Sequence, residues 1–217
     1  MSVKLAPPAN ESDRRRTPPA KMPFAAKDNK RYFDEKEGVT VVKLFSGDWH
    51  VSGTEPEMLM TILGSCVAAC IRDPLLGIGG MNHFLLPGDE SSCMNSDAAR
   101  YGVFAMESLI NGLLKAGARK ERLEIKVFGG GNVINNSACI GSKNAAFIRE
   151  FLRKEGLRIA SEDLEGDLPR KLHYYTQTGK VMMRKLNRQA DTKVIMEEQR
   201  FKESLTIKPP VGDIELF

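Results

Sequence analysis

The sequence has few of the residues from which metal and disulfide sites are built, since it contains four cysteines and three histidines in 217 residues. No cysteines follow the paired Cys-x-x-Cys spacing of structural zinc sites. Cys66 and Cys70 form a Cys-x-x-x-Cys pair that could suggest a metal together with Cys93 and Cys139, but this signal is weak. We expect Cys70, Cys93 and Cys139 to be ordinary thiols, with no metal and no cofactor bound.

The chain also has no apolar run long enough to span a bilayer, and its N-terminus lacks the hydrophobic core of a signal peptide. We therefore expect a cytoplasmic protein with reduced thiols and no membrane insertion. The formal net charge of +4 is too mild to predict a nucleic-acid partner.

Composition divides the chain into three parts. Residues 1–36 are rich in Pro, Lys, Arg and Asp and poor in apolar residues, which predicts a disordered basic tail. Residues 37–190 are long enough for one independent domain. Residues 191–217 end in Ile-Glu-Leu-Phe, so we expect this C-terminal tail to dock on the domain or on a partner, because an exposed apolar end is unfavourable in water.

The residues with the most chemical potential lie around a predicted hairpin. The apolar segments 67–71 and 79–86 are separated by Pro and Gly, which predicts two antiparallel strands. Cys66 and His83 are about equally far from the turn, so we expect them to be cross-strand neighbours. A histidine beside a cysteine is the usual means of forming a reactive thiolate near neutral pH.

Each of these residues also has an ordinary structural interpretation. A cysteine such as Cys66 can be a small buried apolar residue, and a histidine in an apolar strand can be hydrogen-bonded in a core. Thr61 can be a β-branched strand residue, or its hydroxyl can accept from His83 and fix the tautomer of the imidazole. Near Cys66, Gly64 and Ser65 leave backbone N–H groups that could bind an oxyanion, worth roughly 3–4 kcal/mol for each donor.

The same residues resemble the signature of the CheD family of chemoreceptor glutamine deamidases. Thr61 is followed by Leu-Gly-Ser-Cys-Val-Ala and then by Gly-Gly-Met-Asn-His-Phe and Leu-Pro. Three further motifs match in order along the stretch from about Gly38 to Leu186: Arg100-Tyr101-Gly102, Phe128-Gly129-Gly130-Gly131-Asn132 and Ile140-Gly141-Ser142-Lys143-Asn144.

The resemblance implies hydrolysis of selected glutamine amides on chemoreceptors to glutamate and ammonia. It maps the family's catalytic cysteine to Cys66, its histidine to His83 and its supporting threonine to Thr61. It also implies two partners, the helical cytoplasmic domain of chemoreceptors and a CheC-type phosphatase. The family's late Asp-Leu-Gly-Gly motif reads Asp163-Leu164-Glu165-Gly166 here, which is a departure.

The remaining pattern predicts an α+β fold, with an antiparallel β-sheet sandwich flanked by two main helices. Helices are expected from Ser96 to Gly117 and from Ile140 to Gly156, and a hairpin is expected between the strands near 39–44 and 49–52. The glycine run 129–131 predicts a turn with special backbone angles, with nucleotide binding as the alternative. His50 is expected at the surface. His173 is a second candidate for the catalytic base, with a structural role favoured.

Two other functions remain open from the sequence. The protein could be a binding adaptor that regulates a chemotaxis phosphatase, with weak or secondary catalysis. A papain-like protease is a poorer match, because its histidine lies far downstream of its cysteine.

Overall fold

The computed structural model describes residues 30–53, 55–86, 97–133 and 140–186. These residues form ten strands, two α-helices and one short 3₁₀ helix at Lys120–Arg122. The strands are β1 (Lys30–Asp34), β2 (Val39–Lys43), β3 (Trp49–Ser52), β4 (Glu57–Leu63), β5 (Val67–Asp73), β6 (Ile78–Asn82), β7 (Glu124–Gly129), β8 (Ile159–Leu164), β9 (Arg170–Tyr175) and β10 (Lys180–Lys185). The helices are α1 (Asp97–Lys115) and α2 (Ile140–Lys154).

The strands form two five-stranded sheets, in the order β1-β2-β4-β9-β10 for the first sheet and β3-β6-β5-β7-β8 for the second. The predicted α+β class is confirmed. Each sheet is mixed rather than wholly antiparallel, because β2 pairs with β4 in parallel and β7 pairs with β8 in parallel. The physical reason is the connection: the chain visits the other sheet through β3, or runs through α2, before it returns in the same direction.

Two apolar layers hold these elements together. One layer lies between the sheets and contains inward side chains of both, among them Leu59, Ala68 and Leu172. The other lies between the second sheet and the helices, where Ile71, Leu109 and Ile148 are completely buried. The helices therefore cover one sheet, and the face of the second sheet that they leave open meets the first sheet.

Both predicted helices are confirmed, and so are their stop signals. Gly117 and Gly156 follow the helix ends with φ of +97° and +66°, in the left-handed region that glycine adopts readily. The expected closing hairpin is also present, since β9 and β10 pair antiparallel around Gly179. Among the residues that the structure describes, no helix combines the length and apolarity needed to cross a membrane.

Two predictions from the N-terminal half need correction. Strand β1 lies inside the stretch 1–36 that was predicted to be disordered, and it is held by pairing with β2 and by a 2.8 Å ion pair from Arg31 to Glu57. The predicted hairpin between β2 and β3 was wrong, because the two strands belong to different sheets. Residues 1–29, the C-terminal tail 191–217, and both Cys93 and Cys139 lie outside the described residues.

Candidate active site

The site is built at the open end of the β5–β6 hairpin. Beyond the last paired residues of β6, the ladder continues to Val67 and Phe84, which exchange two backbone hydrogen bonds of 2.9 Å. Cys66 and His83 each precede one of these residues. The register places Leu85 directly opposite Cys66, so His83 is a diagonal neighbour rather than the direct one we predicted, but on the same face.

That face points into the layer between the two sheets. Cys66 belongs to the inter-sheet apolar cluster and has no exposed surface, while His83 keeps 5% of its surface exposed. Thr61 is also completely buried, on β4 of the first sheet. Residues from both sheets therefore meet at one point, and neither sheet supplies the site alone.

Thr61 fixes the tautomer of His83. The Thr61 hydroxyl donates its only proton to the carbonyl oxygen of Leu44 at 2.9 Å. The same oxygen lies 2.8 Å from Nδ1 of His83, and it has no second proton to give. Nδ1 must therefore donate to Thr61, which leaves the lone pair of the neutral imidazole on Nε2, where a general base needs it.

A short loop between β2 and β3 contacts both Cys66 and His83. The Ser46 hydroxyl lies 3.5 Å from the sulfur of Cys66. The next residue, Gly47, donates its N–H to the carbonyl of His83 at 2.7 Å, and the N–H of His83 donates to the carbonyl of Asp48 at 2.9 Å. Consecutive residues of one loop thus contact both the thiol and the histidine. Sequence reasoning missed Ser46, because this loop was interpreted as a hairpin turn.

The glycine run after β7 holds the backbone of the nucleophile. Gly131 donates its N–H to the carbonyl of Gly64 at 2.8 Å, and Gly130 donates to the carbonyl of Cys66 at 2.7 Å. Gly129 has φ of +112°, and a Cβ there would overlap the carbonyl oxygen of Cys66. The backbone turn predicted for 129–131 is therefore present, and the N–H groups of Gly130 and Gly131, which a phosphate site would use, are occupied by the protein itself.

Asn144 of α2 adds a third contact to this backbone. Its Nδ2 donates to the carbonyl of Ser65 at 2.9 Å, and its Oδ1 accepts from the N–H of Leu86 at 2.9 Å. The side chain is completely buried. Sequence reasoning placed Asn144 in a family motif but gave it no role, because no local pattern connects it with residues almost eighty positions away.

The departure from the family motif at 163–166 lies behind the glycine run. Glu165 has φ of +69°, in the left-handed region that a glycine would occupy more easily. Its N–H still donates to the carbonyl of Gly129 at 2.8 Å. Arg170, which is almost fully buried, braces this loop through Asp163 at 2.6 Å. The substitution therefore adds backbone strain to the loop, because a residue other than glycine adopts the left-handed conformation. The loop keeps its hydrogen bond to the glycine run.

Burial affects the ionisation of two side chains near the site, Cys70 and Tyr101. Burial raises the pKa of Cys70 far above that of an ordinary thiol, so Cys70 stays protonated and unreactive. Near Cys66, burial raises the pKa of Tyr101 to about 12, with smaller contributions from negative charge at Cys66 and Asp48. Tyr101 therefore keeps a neutral hydroxyl near neutral pH.

The other two histidines are placed away from this cluster. His50 is buried rather than exposed as predicted, and its Nε2 lies 2.8 Å from Glu57, which also accepts from Ser52 at 2.5 Å. His173 lies between Leu172 and Tyr174, which both face the inter-sheet layer, so it occupies the opposite face of β9. Desolvation lowers the pKa of His173. Neither histidine joins the site.

Several known proteins are similar to this chain over most of its length. A family model described as "CheD chemotactic sensory transduction" matches residues 85–185. A protein of Rhodopseudomonas palustris (strain BisA53), named "Probable chemoreceptor glutamine deamidase CheD", is 49% identical over 190 residues, which cover 87% of this chain and 89% of the relative. A protein of the same name from Hydrogenovibrio crunogenus is 44% identical over 187 residues, covering 85% of this chain and 97% of the relative.

A further relative comes from Dechloromonas aromatica and is named "Probable chemoreceptor glutamine deamidase CheD 1". It is 47% identical over 189 residues, which cover 86% of this chain and 94% of the relative. Among solved structures, the C-terminal domain of CNFy from Yersinia pseudotuberculosis gives a TM-score of 0.31 and 10% identity, over 68% of this chain and 63% of its own. That structural likeness is too distant to support a conclusion about fold or function.

Proposed function

This chain belongs to the CheD family, and on that basis we propose that it is a protein-glutamine deamidase, which hydrolyses glutamine side chains of chemoreceptors to glutamate and releases ammonia. The observation that carries the proposal is the buried hydrogen-bond chain from Leu44 through Thr61 to His83, beside Cys66. It presents an imidazole with a basic Nε2 on the same face as a thiol. A basic imidazole and a thiol on one face are the two groups that nucleophilic cysteine catalysis uses.

In the proposed mechanism, Nε2 of His83 takes the proton of the Cys66 thiol, or holds it already as an ion pair. The sulfur attacks the carbon of the glutamine side-chain amide and forms a tetrahedral oxyanion. The carbon–nitrogen bond then breaks, and the proton on His83 passes to the leaving ammonia. A thioester remains between Cys66 and the receptor side chain.

The second half of the reaction regenerates the thiol. His83 accepts a proton from water, the resulting hydroxide attacks the thioester carbon, and the sulfur leaves with the proton that His83 returns. The products are a glutamate side chain and free Cys66. Thr61 acts on both halves by keeping Nδ1 protonated, so that each proton transfer uses the lone pair on Nε2.

The proposed partners follow from the same assignment. The substrate is the helical cytoplasmic domain of a chemoreceptor, which places the reaction in the cytoplasm, and a CheC-type phosphatase is the proposed regulatory partner. Residues 37–190, together with β1, would form the catalytic domain. The tails 1–29 and 191–217 would lie outside the catalytic core, with the C-terminal tail docked on the domain or on a partner.

The test is incubation of the full-length protein with a purified receptor cytoplasmic fragment, followed by peptide mass spectrometry and an ammonia assay. The proposal predicts conversion of particular glutamines to glutamate, with one ammonia for each conversion and an intact receptor backbone. Cleaved receptor peptides would indicate a protease. Binding without ammonia release, under conditions in which the receptor is folded, would favour the adaptor function.

A further inference from the structure

The three peptide groups around the nucleophile are all held by their carbonyl oxygens. The carbonyl of Gly64 accepts from Gly131 at 2.8 Å, that of Ser65 accepts from Asn144 at 2.9 Å, and that of Cys66 accepts from Gly130 at 2.7 Å. Three successive peptide planes are therefore fixed by groups from one side, the glycine run and the first turns of α2. The backbone that carries the reactive sulfur cannot rotate without breaking one of these bonds.

The orientation of a carbonyl also sets the orientation of the neighbouring N–H. The described part of the chain contains no cis peptide bond, and in a planar trans peptide the C=O and N–H point in opposite directions. Because Asn144 holds the Ser65 carbonyl towards α2, the N–H of Cys66 points away from α2. In acyl-transfer enzymes, the N–H groups beside the nucleophile are suited to bind the oxyanion.

We propose that Asn144 is a positioning residue, which orients the Ser65–Cys66 peptide so that the N–H of Cys66 meets the oxyanion of the tetrahedral intermediate. This inference rests on the deamidase activity proposed above. Two of the three carbonyls are held by backbone N–H groups, which a substitution leaves in place. Asn144 is the one of the three donors that uses a side chain, so its contribution can be removed by mutation.

The chemistry of the site explains why this residue is an asparagine. Its Nδ2 donates to the segment before Cys66, and its Oδ1 accepts from Leu86, three residues beyond His83. One planar amide thus spans the nucleophile segment and the histidine segment. An ionised aspartate has no proton to donate, and an apolar side chain would leave both buried backbone groups unsatisfied.

The proposal predicts that amide hydrolysis and simple thiol chemistry respond differently to loss of Asn144. Alkylation of Cys66 by iodoacetamide needs the thiolate but forms no oxyanion, whereas deamidation needs both. In Asn144→Ser we expect kcat for ammonia release to fall by about 100-fold, with KM for the receptor fragment changed by less than about two-fold. We expect the plateau rate of Cys66 alkylation to stay at the wild-type value.

Ile148→Ala is the matched control, because Ile148 is buried on the same helix, one turn further on, and contacts the helix–sheet core. It should lower the melting temperature while keeping kcat close to wild type. Two results would overturn the proposal: an unchanged kcat in Asn144→Ser, or alkylation that slows as much as deamidation. The second result would mean that Asn144 supports the whole segment rather than the peptide orientation.

If Asn144→Ser does not fold, Asn144→Asp replaces it, since it has nearly the same shape and retains the acceptor for Leu86. The new charge can shift the pKa of the thiol, which moves the pH profile of alkylation but not its plateau. The plateau alkylation rate of Asn144→Asp is therefore compared with its kcat for ammonia release. Failure of the underlying activity looks different. In that case the wild-type protein itself releases no ammonia. Failure of this inference leaves the wild type active, with a variant that is either equally active or slowed in alkylation as much as in deamidation.

Discussion

Replacing Thr61 with valine tests whether the hydroxyl between Leu44 and His83 controls the base. Valine has almost the same shape, so the change removes two hydrogen bonds of 2.8 and 2.9 Å and little else. Both partners are buried, and a buried group left unsatisfied costs about 1–3 kcal/mol. Each of the two groups should cost about 1–2 kcal/mol, the lower half of that range. We therefore expect the unfolding free energy of Thr61→Val to be about 2–4 kcal/mol lower than that of the wild type.

The catalytic effect has a separate cause. Without an acceptor at Nδ1, His83 no longer favours the tautomer whose lone pair is on Nε2. A preference of about 1.4–2.8 kcal/mol corresponds to a 10- to 100-fold loss of kcat, since each factor of ten requires about 1.4 kcal/mol. KM for the receptor fragment should hardly change, because Thr61 lies in the layer between the sheets and acts through His83.

The assay is steady-state ammonia release with a receptor fragment, at a temperature well below the melting transition of each variant. Thr61→Ser is the control, since it retains the hydroxyl and loses only a methyl group. We expect it to keep most of the wild-type kcat. The reasoning is refuted if Thr61→Val turns over like the wild type, or if Thr61→Ser is as slow as Thr61→Val.

Three further perturbations have defined outcomes. Gly129→Ala should destabilise the fold by more than about 2 kcal/mol and abolish ammonia release, because the new Cβ overlaps the backbone of Cys66. Gly77→Ala is the control: φ is positive there too, at +67°, but a Cβ would meet no other atom, so the change should cost only the backbone strain of about 1 kcal/mol. Equal melting temperatures of the two variants would contradict this. Hydrogen bonds from Arg122 lower the pKa of Asp73 to about 2, so its contribution to stability should be complete above about pH 4 and disappear as the pH falls towards 2. Acid unfolding of Asp73→Asn should therefore be flatter over that range, and an unchanged slope would contradict the assignment. Deletion of 191–217 should lower the melting temperature if the tail docks, and an unchanged melting temperature together with unchanged partner binding would exclude docking.

The sequence predicted the elements whose signals are local. The helices, their glycine stops and the β5–β6 hairpin depend on residues within one or two turns of each other, so periodicity and turn residues were sufficient. The pairing of β2 with β4 was missed because β3, which lies between them in sequence, joins the other sheet. Because β2 and β3 are adjacent along the chain, they suggested a hairpin. Burial of the facing surfaces of the two sheets instead favours a chain that crosses from one sheet to the other between these strands.

The same distinction applies to the site. Cys66, His83 and Thr61 were proposed from short motifs, and the structure places Thr61 in contact with His83. Ser46 and Asn144 were not proposed, because their contacts with the nucleophile segment span 20 and 79 positions along the chain. Neither the composition nor the periodicity of apolar residues indicates such long-range contacts. The prediction that His50 lies at the surface was wrong for the same reason, because its buried partner Glu57 is brought next to it only by the fold.

The central claim is that one sulfur, that of Cys66, forms the bond with the substrate. The most direct measurement is ammonia release from a receptor fragment by Cys66→Ala, with Cys70→Ala as the control, since Cys70 is a second buried thiol four positions further along the chain. The account predicts that Cys66→Ala stays folded and releases no ammonia above background, while Cys70→Ala remains active. Turnover retained by folded Cys66→Ala would contradict it.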